Sequence, residues 1–149
     1  MLGQLDKQQI QNILLSQALG RLACTDGNKP YLVPVTYCYD GKFIYGQSNE
    51  GTKLSILRKN PNVCFEVDVM TDMANWQSVI VFGIFEELKD EEASKARDIL
   101  FGRVFSLMTS RTLHPHEHAI ADEPLEDNRE KYVMYRIRIE EATGRFEQP

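Results

Sequence analysis

The sequence has no apolar run long enough to cross a membrane as a helix. Its longest near-continuous apolar stretch is Val79-Ile80-Val81-Phe82-Gly83-Ile84-Phe85, far short of the ~18 residues a spanning helix needs. The segment Met1-Leu2-Gly3-Gln4-Leu5-Asp6-Lys7 has no apolar core behind a basic head. No signal peptide and no membrane association are therefore expected, and the cytoplasm is the expected location. Cysteine is scarce: Cys24, Cys38 and Cys64 are an odd number at wide spacings. Each lies in an apolar or β-like run, which points to reduced, buried thiols rather than a disulfide framework. No CxxC pair exists, so no zinc site is expected on them. Positive charge is in short supply too. Seventeen Lys and Arg against twenty-two Asp and Glu leave −5, which argues against nucleic acid as a partner.

What is present is an ordinary globular composition: 149 residues, 42% hydrophobic and 26% charged. These values exclude disorder of the whole chain and predict one domain, residues 1–149. A domain of this size hides about two-thirds of its unfolded surface, enough for a core without staples.

Asp6 with Gln9 three residues on reads as a capping box. Ile10, Ile13, Leu14 and Ala18 follow a helical spacing, so a helix over 7–18 is predicted, closed by Gly20. The period then changes. Residues 21–25 read as a strand, Asp26-Gly27-Asn28 as a turn, 31–39 as a second strand, Asp40-Gly41 as a hairpin turn and 42–46 as a third strand. Strands on such short turns are antiparallel, because a parallel layout needs long crossovers. Pro34 cannot donate to a ladder and marks an edge, a bulge or an opening. A short helix is predicted from Thr52 to Lys59, stopped by Asn60-Pro61. Strands follow at 63–68 and 76–85. Asp90 is the expected cap of a helix with Ala93, Ala96 and Leu100 inward, and residues 101–111 read as helical. Residues 112–131 read as a polar, acidic loop and 132–139 as the last strand. The expectation is a mainly β protein, a six-stranded antiparallel barrel with flanking helices.

The most informative stretch is Gly46-Gln47-Ser48-Asn49-Glu50-Gly51-Thr52-Lys53, which leaves a strand and opens a helix. A helix start presents unpaired amides and partial positive charge, so it attracts anions. Lys53 in the first turn is misplaced unless an anion is there, whereas Arg58 and Lys59 sit where cations belong. The stretch nearly matches GxxxxGK[ST], but its lysine comes one place late. That turns the side chain roughly 100° away from a phosphate cradle, and no parallel sheet follows. A nucleotide triphosphatase is not expected.

Several runs, taken in order, resemble the FMN-binding split-barrel proteins related to pyridoxamine 5′-phosphate oxidase. They are Gly20-Arg21-Leu22-Ala23, Tyr31-x-Val33-Pro34-Val35-x-Tyr37, Asp40-Gly41-x-x-Ile44-Tyr45, and the stretch from Gly51-x-Lys53 through Leu57-Arg58-x-Asn60-Pro61 to Asp68. Trp76-x-Ser78-Val79-x-Val81-x-Gly83 and Arg136-Ile137-Arg138-Ile139-Glu140-Glu141-x-Thr143-Gly144-Arg145 are similar to the nitroimidazole-resistance (Nim-like) branch. The resemblance covers nearly the whole chain except the region after about Arg111.

This resemblance implies a homodimer with FMN at the subunit interface and a small-molecule substrate. The flavin ring would rest along the backbone of Pro34, Val35, Thr36 and Tyr37. Ser48 and Thr52 would offer hydroxyls to the phosphate, and Lys53 a charge. Trp76 and Ser78 would close the site, from the partner subunit. Gln47 stands where many Nim-like proteins carry histidine. It can hydrogen-bond a flavin but cannot act as an acid or base near pH 7. The ending Gly144-Arg145-Phe146-Glu147-Gln148-Pro149 lacks the basic Arg-x-His tail of pyridoxamine phosphate oxidases, so that substrate is not expected.

The implied function is a flavin-dependent oxidoreductase of nitro- or quinone-reductase type. The alternatives are a flavin-binding or redox-sensing protein without turnover and a haem-binding split barrel. No side chain is assigned a catalytic role. His114, His116 and His118 alternate, which places them on one side of an extended segment, but no second cluster supplies further ligands and no metal is expected.

Overall fold

The computed structural model describes residues 1–107 and 132–149. The loop expected at 112–131 and its three histidines lie outside the described residues.

Helix α1, Lys7–Ser16, starts as expected. The Gln9 amide donates to Asp6 Oδ1 and the Asp6 amide donates to Gln9 Oε1, both at 2.8 Å. The helix ends two residues early. The Gln17 amide still donates to Ile13 O, but Gln17 itself is extended. The chain is then drawn into β2, Leu19–Asp26, so Gly20 does not close the helix. It is a strand residue lying against the Phe65 ring.

The remaining elements are β1 (Leu2–Gln4), β3 (Lys29–Thr36), β4 (Cys38–Tyr39), β5 (Phe43–Asn49), α2 (Thr52–Lys59), β6 (Asn62–Asp72), β7 (Asn75–Glu87), α3 (Asp90–Leu107) and β8 (Tyr132–Glu147). The strands form one antiparallel sheet in the order β3-β2-β6-β7-β8-β5-β4, with β1 also on β8. The class is the antiparallel split barrel read from the sequence, with eight strands among the described residues instead of six.

Two strand differences have clear causes. The expected strand 31–39 is divided. β3 pairs with β2 at one end of the sheet order and β4 pairs with β5 at the other. Tyr37 between them is fully buried, and its hydroxyl donates to Leu14 O at 2.7 Å. One short stretch of chain thus bridges the two ends of the sheet and closes the barrel. The last strand runs to Glu147 instead of 139. Its pairing with β7 shifts at Phe82/Gly83, where Glu140 is the extra residue. This bulge reverses the alternation and hides the second half of the strand from a period-two reading. Gly83 is needed there, because a Cβ would sit 2.5 Å from the Arg138 carbonyl oxygen.

The barrel is filled by Leu22, Phe65, Val67, Val79, Val81, Tyr135 and Ile137, with Leu54 and Leu57 of α2 and Ile10, Ile13 and Leu14 of α1. A second cluster lies where Ala96, Leu100 and Val104 of α3 pack on Cys38, Tyr45 and Met134. Helix α3 is continuous through 107. Asp90 is its first residue, at φ 54, and Ala93 N donates to Lys89 O. Asp90 therefore joins Glu91 and Glu92 as first-turn acids that complement the helix dipole. The Asp40 hairpin forms as expected. Asp40 Oδ1 accepts from the amides of Lys42 and Phe43 at 2.8 and 2.7 Å, and Gly41 takes the φ of 96 the turn requires.

Candidate functional site

Pro34 lies on β3, at the edge of the sheet order, exposed and opposite Arg21. Pro30 shares its ladder phase, because hydrogen-bonded and open pairs alternate along an antiparallel strand. Two prolines in that phase remove donors from the open edge and guard it against strand addition. Val35 is buried and Thr36 half-buried. The Tyr37 amide donates to Ala18 O, and its ring meets Phe65 edge-on at 5.0 Å. The run from Pro34 to Tyr37 is therefore the seam of the barrel, with Tyr37 serving the core. β5 contacts β3 across this seam, and on β5 the neighbours Gln47 and Ser48 point to opposite faces. Ser48 is buried and its hydroxyl donates to Asn49 O at 3.0 Å. The Gln47 side-chain oxygen is buried and accepts no hydrogen bond.

Helix α2 opens at Thr52 behind an extended Gly51. No side chain caps it and its first turn holds no acid. Glu50, the nearest carboxylate in sequence, is turned away. Arg58 donates to both its oxygens at 2.8 Å and to Glu87 as well. Thr52 is exposed, but Lys53 is half-buried. Among the described residues no carboxylate pairs with it. Burial holds the Lys53 ammonium below its ordinary pKa, offset in part by Cys24. Cys24, buried on β2, is pushed up by burial and eased back by Lys53. An uncapped helix start with a half-buried cation that no carboxylate pairs among the described residues suits a phosphorylated ligand.

Trp76 and Ser78 do not join this group within one chain. They lie on β7, which β2 and β6 separate from β3. Ser78 stands opposite Asp68 and, with Ile80 and Phe82, on the outward face. Cys24, beside Lys53, points inward. Trp76 Nε1 donates to Glu147 Oε2 at 3.1 Å.

One cluster escaped the sequence reading. Arg21 Nη1 lies 3.1 Å from Asp68 Oδ2 and 3.5 Å from Glu66 Oε1. The Glu66 oxygen is buried and accepts no hydrogen bond. Burial, then Asp68, pushes the Glu66 carboxyl up to about 7, against the pull of Arg21. The i, i+2 spacing of Glu66 and Asp68 was the available signal, since it puts both carboxylates on one face of a strand.

Cavities of about 680 and 280 Å³ flank α1 and β8, one of about 360 Å³ lies between α1 and β6–β7, and one of about 610 Å³ lies between α3 and β8. None of these four is lined by a residue picked from the sequence. Among the described residues no group of three or more His, Cys, Asp or Glu is placed to hold a metal ion. Nor is any helix among them long and apolar enough to cross a membrane.

The family profile described as pyridoxamine 5′-phosphate oxidase matches residues 6–146, and the chain belongs to that family. Its fold is similar to that of a FAD-binding protein from Mesorhizobium loti, with TM-score 0.77 and 28% identity over 98% of each chain. It is similar also to a 5-nitroimidazole antibiotic resistance protein from Bacteroides thetaiotaomicron, with TM-score 0.73 and 22% identity over 98% of this chain and 87% of that one. An uncharacterised protein of Rhizobium meliloti is 26% identical over 142 residues, 95% of this chain and 92% of its own.

Proposed function

We propose that this chain is a flavoprotein that holds FMN at the β3–β5 seam, with the phosphate at the start of α2, and acts as a nitro- or quinone-type reductase. Lys53 carries the reading: it is a half-buried cation without a carboxylate partner among the described residues, at a helix start where a cation is otherwise misplaced. Lys53 and the free α2 amides hold the phosphate, with the Thr52 hydroxyl at the rim. Gln47 offers its unpaired oxygen to a flavin N–H, and the backbone from Pro34 to Tyr37 supports the ring. A bound flavin supplies the electron transfer, and the protein supplies binding, orientation and shielding from water. Trp76 and Ser78 face outward on β7, so their part in the site requires a second subunit. A homodimer in the cytoplasm completes the proposal.

FAD is the second reading, favoured because the Mesorhizobium loti relative and a Mycobacterium smegmatis relative at 25% identity are both described as FAD-binding. The test is the absorption spectrum of the freshly purified protein, followed by mass analysis of the released nucleotide. A flavin spectrum with FMN released supports the first reading, and FAD released supports the second. A colourless protein that takes up neither nucleotide, or one with a haem Soret band, overturns both. Oxidation of reduced nicotinamide cofactor in the presence of a nitroarene or quinone tests turnover.

A further inference from the structure

The cavity of about 680 Å³ lies at the opposite end of β5 from the start of α2. It is bounded by α1, the Asp40 hairpin and the bulged part of β8. Lys42 on its rim and Gln47 are five residues apart along β5 and its turn, roughly 17 Å at 3.4 Å per residue. Leu5, Ile10, Leu14 and Ile139 give the cavity an apolar wall.

Tyr39 is the polar group set into that wall. The tyrosines on either side of it use their hydroxyls within the protein: Tyr37 donates to Leu14 O and Tyr45 to Asp40 Oδ2. Tyr39 is only 8% exposed, yet among the described residues its hydroxyl has no partner. That oxygen is not sealed off as the unpaired Glu66 oxygen is, and the residue lines the cavity. A buried phenol of this kind calls for an acceptor supplied from the cavity. Burial, then Asp40, holds its pKa above the ordinary value, so it stays a donor across the neutral range.

Charge decides which acceptor. Lys7, the first residue of α1, and Lys42, in the hairpin turn, both line the cavity. Among the described residues no carboxylate pairs with either. The nearby acids are mostly engaged. Glu140 lies 3.9 Å from Arg138, and Asp40 accepts from the turn amides and the Tyr45 hydroxyl. Two lysines then stand against Glu141, one net positive charge, which a single carboxylate balances. A phosphate dianion would overshoot that balance and leave the apolar wall unused.

We propose that this cavity binds a small organic monocarboxylate with an apolar body. The carboxylate accepts from the Tyr39 hydroxyl, Lys7 and Lys42 supply the charge, and the body lies on Leu5, Ile10, Leu14 and Ile139. The site is separate from the flavin seam and stands or falls without it.

The test is isothermal titration calorimetry of the full chain with benzoate, phenylacetate and hexanoate. We expect saturable one-to-one binding by at least one of them. The matching primary amide keeps the body and loses the charge, and should bind about tenfold or more weakly. Tyr39→Phe should weaken the carboxylate about ten- to a hundredfold. It should not lower the melting temperature, because the hydroxyl it removes has no partner among the described residues. Lys7→Gln combined with Lys42→Gln should weaken binding and flatten its dependence on salt. Gln11→Trp, on α1 at the cavity, should abolish binding by filling the space, with barrel circular dichroism kept. Saturating FMN should leave the affinity unchanged. No saturable binding by any of the three acids overturns the site, and equal affinity for acid and amide overturns the role of charge. Unchanged binding in Tyr39→Phe or in Gln11→Trp overturns the assignment to this cavity; Tyr39→Phe reports even if Gln11→Trp misfolds. Competition by FMN overturns the separateness of the two sites. A chain that binds the carboxylate and no flavin removes only the flavin reading.

Discussion

Replacing Lys53 with Met separates a phosphate ligand from a lysine that merely extends toward water. Lys53 has no carboxylate partner among the described residues, so Lys53→Met breaks no ion pair and keeps most of the buried stem. Burial disfavours the ammonium, so the ligand-free variant should melt at the same temperature as the wild type or higher. A charge-assisted contact is worth roughly 1.5–3 kcal/mol. At 1.4 kcal/mol per decade, FMN affinity should fall about ten- to a hundredfold. Riboflavin has the same ring without the phosphate, and its affinity should barely change. The assay is flavin fluorescence quenching with both ligands on both proteins. A phosphate raises a lysine pKa that burial has lowered, so wild-type FMN affinity should be greatest below that lowered value and decline as pH rises through it. Riboflavin should lack that decline. Equal losses for FMN and riboflavin in Lys53→Met would refute the phosphate assignment.

Other substitutions test the frame that holds the site. Asp6→Ala removes the reciprocal cap of α1 and should cost about 1 kcal/mol, or ~2–4 °C in melting temperature, by thermal circular dichroism. Tyr37→Phe leaves Leu14 O without its 2.7 Å donor inside the core, and chemical denaturation should register a loss of about 1–3 kcal/mol. Gly83→Ala drives a methyl group toward the Arg138 carbonyl oxygen at the bulge. Its cost should exceed ~2 kcal/mol by the same assay, and an unchanged midpoint would remove the bulge from the account.

Most of the frame was legible because its signals are local. The Asp6–Gln9 cap, the Asp40-Gly41 turn and the Asn60-Pro61 stop each depend on residues within a few positions of one another. α2 accordingly runs from Thr52 to Lys59 as read. The errors fall where tertiary pairing overrules the local pattern. Ala18 extends the helical spacing of α1, yet its carbonyl is taken by Tyr37 N across the sheet. Residues 31–39 look like one strand, yet the barrel needs them to serve both ends of the sheet order. The second half of β8 was hidden because one extra residue, Glu140, reverses which side chains point inward.

The site divides along the same line. Lys53 was visible because its misplacement is a helix-end argument, complete within one turn. Its burial against β2 beside Cys24 was not, since twenty-nine residues separate the two in sequence. The Arg21–Glu66–Asp68 cluster was hidden for the same reason, since Arg21 comes from β2 and the two carboxylates from β6. The run Val79–Phe85 is where a sequence pattern and a surface meet. Seven residues are too few for a membrane and more uniformly apolar than a half-wet strand requires. Val79, Val81 and Phe85 are spent inside the barrel, while Ile80 and Phe82 point out of it and are exposed among the described residues. Both lie on one face with Glu66, where a strand with one wet side would carry polar residues.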